Sequence, residues 1–289
     1  MLEFSGFESK STINCLFLFM LRILALLLIL NPCFVFGQPN LPMGGRANSM
    51  SNAMVAVLDP WAFHHNPGAL AFQKTIAIGV SYENRFLLKE LQSQGVVYVQ
   101  PLKKGVLSLG AQLYGFELYR TTRAGVGYSL LLAENFSVGV QLNYLGLQLR
   151  EQYGSAHAAT AELGLLYTIS EKWRMGCSVF NLGRTKFSDY QNERFGTTMR
   201  LGTSYNLSSK VLLSLEAEKN INYPLRAKMG MEYQPINQFF IRGGLSTAPF
   251  EGSFGFGYKF KPLQLDLGSS FHQVLGWSPH FSITFNMSK

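Results

Sequence analysis

The chain has 289 residues, of which 15% are charged, 47% hydrophobic and 13% aromatic, with 28 glycines and a formal net charge of +8. So small a charged fraction, against roughly 25% in an ordinary soluble domain, argues against a cytosolic enzyme. Bases scattered along the chain without clusters argue against a nucleic-acid-binding surface.

The only long apolar run lies at the start. Cys15 to Leu30 is mostly Leu, Ile and Phe, broken by Arg22 and ended by Asn31-Pro32. On either side of Arg22 it is too short for the roughly 20 residues of a membrane-crossing helix. It reads instead as a signal peptide. With Met20 as the true start, Met20-Leu21-Arg22 is a short basic region, Ile23 to Leu30 an apolar one, and Asn31 to Gly37 a cleavage region cut before Gln38. Residues 1–37 are expected to leave, taking Cys15 and Cys33 with them. Cys177 alone remains, so neither an intrachain disulfide nor a thiolate metal centre is expected.

Residues 38–74 show no periodicity and are rich in Met, Asn and small side chains. From about Thr75 the sequence alternates apolar with small or polar residues at period two, the mark of strands with one face in apolar surroundings. Phe136-Ser137-Val138-Gly139-Val140-Gln141-Leu142-Asn143-Tyr144 shows it cleanly. Fourteen strands are predicted: 75–86, 94–101, 105–116, 121–131, 136–148, 158–169, 173–181, 197–207, 211–220, 225–233, 239–246, 252–260, 263–272 and 278–286. No segment sustains a helical period.

An even number of strands, each long enough to cross a bilayer when tilted, points to an all-β transmembrane antiparallel barrel in a cell outer membrane. Connections after even-numbered strands are short, as periplasmic turns should be, and the three longest (87–93, 149–157 and 182–196) follow odd-numbered strands. Tyr167, Trp173, Tyr205, Tyr233, Phe239 and Phe260 face outward by parity beside the short turns, where a membrane-interface belt belongs. Residues 83–91 are apolar for an outer connection, which reads either as the outer end of a long strand hairpin or as a docking surface for a hydrophobic ligand or partner. Pro224 and Pro249 are the candidates for a local strand break.

Parity places Glu162, Glu216, Glu218, Glu232 and Asp266 in the lumen with Arg174, Arg200, Lys228, Arg242 and Lys259. The balanced signs favour pairing across strands and to the N-terminal segment over an ion-selective lining, which would show rings of one sign. His64-His65 has no third ligand nearby, and Gly255-Phe256-Gly257 fits inward glycines leaving room for a plug better than a phosphate loop. Hydrolase and nucleotide-binding signatures are absent. No catalytic residue, metal or cofactor is expected.

The segment Met43-Gly44-Gly45-Arg46-Ala47-Asn48-Ser49-Met50, followed by Asp59-Pro60-Trp61-Ala62-Phe63-His64-His65-Asn66-Pro67-Gly68-Ala69-Leu70, resembles the N-terminal hatch of the FadL-like outer-membrane superfamily. It is most similar to the PorV/PorQ branch, as is the terminal Leu275-Gly276-Trp277-Ser278-Pro279-His280. This sequence departs from that branch in carrying one Asp (Asp59) where two are usual, Asn-Pro-Gly-Ala-Leu for Asn-Pro-Ala-Gly-Leu, and Ser278-Pro279 in place of Thr-His. The resemblance implies a plug (38–74) inside the barrel (75–289), with Asp59, Asn66, Pro67 and Gly68 forming the turn into strand one. It also implies an accessory role in a type IX secretion-like complex, with partner proteins. The alternative it allows is passive transport of a hydrophobic ligand. Little chain is left for outer loops, which favours the accessory role. Outer-membrane lipid is the partner common to both.

Overall fold

In the computed structural model the described residues are 42–149, 154–186 and 195–287. The expected signal region, the start of the expected plug and the middles of connections 150–154 and 181–197 lie outside them.

Alternating apolar residues form fourteen strands: β1 Ile76–Asn84, β2 Gln92–Pro101, β3 Val106–Phe116, β4 Tyr119–Ala133, β5 Phe136–Leu149, β6 Ser155–Thr168, β7 Trp173–Phe180, β8 Thr198–Ser208, β9 Val211–Asn220, β10 Arg226–Ile236, β11 Phe239–Ser246, β12 Glu251–Phe260, β13 Leu263–His272 and β14 Gly276–Met287. Each pairs antiparallel with its neighbours, and β14 returns to β1, so the sheet closes into a barrel with no free edge. Three register shifts occur, at Leu131/Ala133, Asn206/Ser208 and Tyr233/Ile236, all next to short turns. Pro224 and Pro249, the expected strand breakers, fall instead in connections 221–225 and 247–250. A residue without an amide donor is tolerated there and would cost a ladder bond inside a strand.

The wall is polar inside and apolar outside. On β1, Ile78, Val80 and Tyr82 are exposed while Ala77, Ser81 and Glu83 are buried. Exposing a band of Leu, Val, Phe and Tyr to water would be strongly unfavourable, whereas in hydrocarbon it is the favoured arrangement, since every strand amide finds its partner in the sheet. The nine residues of β1 rise about 23 Å when tilted about 40°, close to the apolar thickness of an outer membrane. This is an outer-membrane β-barrel. Connections after even-numbered strands run to four residues at most, so that rim is the periplasmic one and both described ends of the wall lie there.

Candidate functional site

Residues 42–73 line the interior. Their only α-helix, α1, is the single turn Gly45–Ser49, followed by 3-10 turns Pro60–His64 and Pro67–Phe72. Such short turns leave many backbone groups unpaired, and inward serines of the wall meet them. Ser214 donates to the Ala53 carbonyl at 2.6 Å, Ser204 to Ala56 at 2.8 Å and Ser178 to His65 at 3.0 Å. Ser129 donates to Pro67 at 2.7 Å and Ser137 to Gly68 at 2.8 Å. In the other direction, the Gly45 amide donates to Ser282 at 2.9 Å, and the Met54 and Val55 amides both donate to Glu216 at 2.8 Å. The segment thus makes a circuit past strands β14, β12, β9, β8, β7, β5 and β4.

Inward glycines let it come close. A Cβ on Gly68 would lie 2.7 Å from the Gly164 backbone of β6, and one on Gly230 would lie 2.7 Å from Met50. Apolar side chains of the segment (Met43, Val55, Trp61, Phe63 and Leu70) pack with Ala77, Val97, Val99, Val106 and Leu166 of the wall. The Trp61 indole donates to Thr284 at 3.1 Å.

Seven of the ten charges expected by parity fall into two groups, and Glu162 joins a separate pair. In the outer half, Arg200 meets Glu218 at 2.7 Å, and Lys228 meets Glu216 at 3.0 Å and Glu218 at 2.9 Å. In the periplasmic half, Arg242 bridges Glu232 and Asp266, each at 2.6 Å. Arg46 of α1 grips Glu232 through two nitrogens at 2.7 and 2.8 Å and reaches Asp59 at 3.0 Å. Burial opposes the charge on Arg46, but Glu232 and Asp59 outweigh it and raise its affinity for the proton. That pair is Arg123 with Glu162 at 2.8 Å, both fully enclosed. Arg174 is half-buried and Lys259 exposed, because both stand near the periplasmic rim, where the lumen opens.

Asp59 accepts from the Trp61 amide at 2.8 Å, and Asn66 accepts from the Gly68 amide at 3.0 Å, each capping a 3-10 turn. Asn66 and Pro67 do not form the turn into β1. They bend the chain inside the lumen, where Asn66 donates to the Val55 and Leu165 carbonyls, and residues 73–75 lead on to β1. The expectation missed this because Pro67 begins a second 3-10 turn before the chain reaches the wall. Sequence reading also passed over Arg46 and Arg123. Arg123 shares inward parity with Gly125 and Gly127 and was within reach, whereas Arg46 sits where no period assigns a face. His64 packs against Trp61 and Phe63 as a core residue.

At the outer mouth, above the segment, is a cavity of about 30 Å³, with room for a water or two, bordered by Asn48, Glu83, Arg85, Arg226, Glu251 and Ser270 among others. Among the described residues the lumen is lined by paired charges and hydrogen bonds to the segment.

The sequence matches no known family model and no curated protein. Among solved structures the fold is similar to the CymD monoaromatic hydrocarbon channel, with a TM-score of 0.66 at 13% identity over 88% of this chain and 100% of that one. It is similar also to the Ralstonia pickettii toluene transporter TbuX, with a TM-score of 0.65 at 12% identity over 88% and 100%. A Pseudomonas aeruginosa FadL homologue gives a TM-score of 0.57 at 12% identity over 86% and 99%. The chain has the FadL-type barrel fold.

Proposed function

We propose that this protein is a non-enzymatic, passive outer-membrane channel for hydrophobic small molecules, with residues 42–73 serving as its plug. The observation that carries the reading is a lumen filled by the chain's own N-terminal segment in a barrel of the hydrocarbon-channel fold. A filled lumen is unsuited to general diffusion of solutes and suited to admitting a selected class. The similarity to channels described as carrying monoaromatic hydrocarbons and toluene supports that class being apolar. Membership of the PorV/PorQ branch, and with it a place in a secretion complex, draws support from the sequence resemblance within residues 43–70 and 275–280 and from the short outer connections, and the comparisons add nothing to it.

Expression of the protein in a host lacking it should raise the rate at which N-phenyl-1-naphthylamine enters cells severalfold while nitrocefin entry stays unchanged. An uptake rate equal to that of the vector control would overturn the channel reading. Stoichiometric recovery of secretion components with the purified barrel would favour the accessory role instead.

A further inference from the structure

The formal net charge of +8 is not spread evenly over the molecule. In the lumen Arg123, Arg200, Lys228 and Arg242 are paired with acids, and at the outer rim Arg85 meets Glu83 and Arg226 meets Glu251. The periplasmic rim is different. Lys103 and Lys104 stand exposed in the turn after β2, Lys172 in the turn after β6 and Lys210 in the turn after β8, while Lys259 and Lys261 flank the end of β12. Among the described residues Glu134 and Glu171 are the acids of that rim, and none of these six lysines forms an ion pair. Like charges gathered on one rim repel each other, and an anion from outside the chain relieves that repulsion.

Aromatic residues fix the depth at which these lysines sit. Trp173 and Tyr205 are paired across β7 and β8, each 41% exposed toward the lipid, and the Trp173 indole donates to Thr203 at 2.7 Å. The Tyr128 hydroxyl donates to the Lys104 carbonyl, and the Tyr258 and Phe260 rings stand 6.0 Å apart on either side of Lys259 in sequence. Amphipathic rings settle where hydrocarbon meets water, so ammonium groups just beyond them lie at the level of lipid phosphates. Lys172 and Lys210 are tied together through the end of β8. The Asn206 amide donates to the Lys172 carbonyl at 2.8 Å, and the Lys210 amide donates to Ser208 at 3.2 Å. Two strand spacings, about 10 Å, separate their turns, within the joint reach of two flexible four-carbon side chains. The Lys210 ammonium donates to the Pro235 carbonyl at 3.2 Å, an uncharged acceptor that a phosphate oxygen outcompetes.

We propose that the periplasmic rim, and Lys172 with Lys210 before the rest, binds the phosphate of an anionic glycerophospholipid of the periplasmic leaflet. The phosphate lies between the two ammonium groups, and the acyl chains lie along Trp173, Tyr205 and Met175 on the outer face. A head with no cation of its own, such as glycerol, is favoured. The ammonium of a zwitterionic head competes for the same phosphate and is repelled by the lysines. Lipid suits this rim better than an acidic protein does. The lysines follow the turns round the circumference, as a shell of lipid does, and each set stands beside a lipid-facing ring, whereas a protein partner would need one contiguous face. None of this depends on what the lumen admits.

The test is tryptophan quenching in the full barrel, reconstituted in phosphatidylcholine nanodiscs that contain an equal fraction of either chain-brominated phosphatidylglycerol or chain-brominated phosphatidylcholine. The Trp277→Phe variant reads Trp173 at the periplasmic rim, and the Trp173→Phe variant reads Trp277 at the outer rim; Trp61, buried in the lumen, is a constant background. At Trp173 the anionic lipid should quench as though enriched about fivefold over phosphatidylcholine, and at Trp277 it should show no enrichment. Lys172→Gln with Lys210→Gln should abolish the enrichment, and Lys89→Gln at the outer rim should leave it intact. Salt at about 1 M should abolish it in the unaltered lysine set, a test that needs no lysine variant to fold. Equal quenching by the two lipids at Trp173 overturns the proposal, and so does equal enrichment at both tryptophans, which is attraction to the barrel at large. Enrichment that survives the lysine substitutions or the salt overturns it as well. Co-sedimentation with purified peptidoglycan that depends on the same lysines, without lipid enrichment, assigns the rim to the cell wall instead.

Discussion

A carboxylate taken out of water costs several kcal/mol unless cations meet it, and Glu232 is met by Arg46 from the segment and Arg242 from the wall. Removing one partner leaves charge stranded. Arg242→Met should strip both Glu232 and Asp266 of a cation at once and lower stability by about 3–5 kcal/mol. That loss is read as a fall in the temperature at which the barrel unfolds on electrophoresis; adding Asp266→Asn should recover part of it. The lining of the lumen was legible by parity at Glu162, Arg200, Glu216, Glu218, Lys228, Glu232, Arg242 and Asp266, because a period of two assigns a face to every residue of a strand. Which carboxylate meets which base was not legible. That depends on the stagger between strands, and the partner of Glu232 comes from 186 positions earlier in the chain.

Strand boundaries were readable to within three residues almost everywhere, since turn residues and the loss of alternation coincide at the rims. The N-terminal segment was not readable in the same way. Its turns are five or six residues long, and the closeness of its approach is written in the glycines of other elements, such as Gly139, Gly164 and Gly230. Gly164→Val should therefore act on the segment rather than on β6. Crowding of this kind costs about 1–3 kcal/mol and should appear as faster proteolysis within residues 42–73 while the wall stays protected.

The segment also carries the one pH response we expect from groups outside the wall. His65 is pushed down to about 3, by burial first and then by the charge of Arg200. An imidazole in the unfolded chain titrates near about 6.5, so below that pH the unfolded form binds the extra proton. The contribution to stability is then present above about 6.5 and is lost progressively as the pH falls toward 3. His64 is shifted in the same direction. Unfolding midpoints should drop between pH 7 and pH 4, and His64→Phe with His65→Gln should flatten that slope.

For the molecule as a whole, wall and filling are separable, because the strands of the wall pair with one another all the way round. Deleting residues 42–72 should leave a compact, heat-modifiable barrel. Water would then hydrate the inward charges, and planar-bilayer recordings should show stable open steps where the full chain is silent. Lumenal acids and bases are close to balanced, so those steps should discriminate only weakly between cations and anions. An unstable or aggregated deletion product would mean that the segment is structural to the wall.

Thirteen of the fourteen strand pairs join neighbours in sequence, and one joins the first strand to the last, Ile76 with Met287. The consequence is one of timing. Until Gly276–Met287 has been made and delivered, the sheet has two raw edges, each a row of unmet amides in search of any strand at hand. The dozen residues of β14 are the clasp of the barrel, and a chain that loses them has no route to closure, however sound the thirteen strands before them.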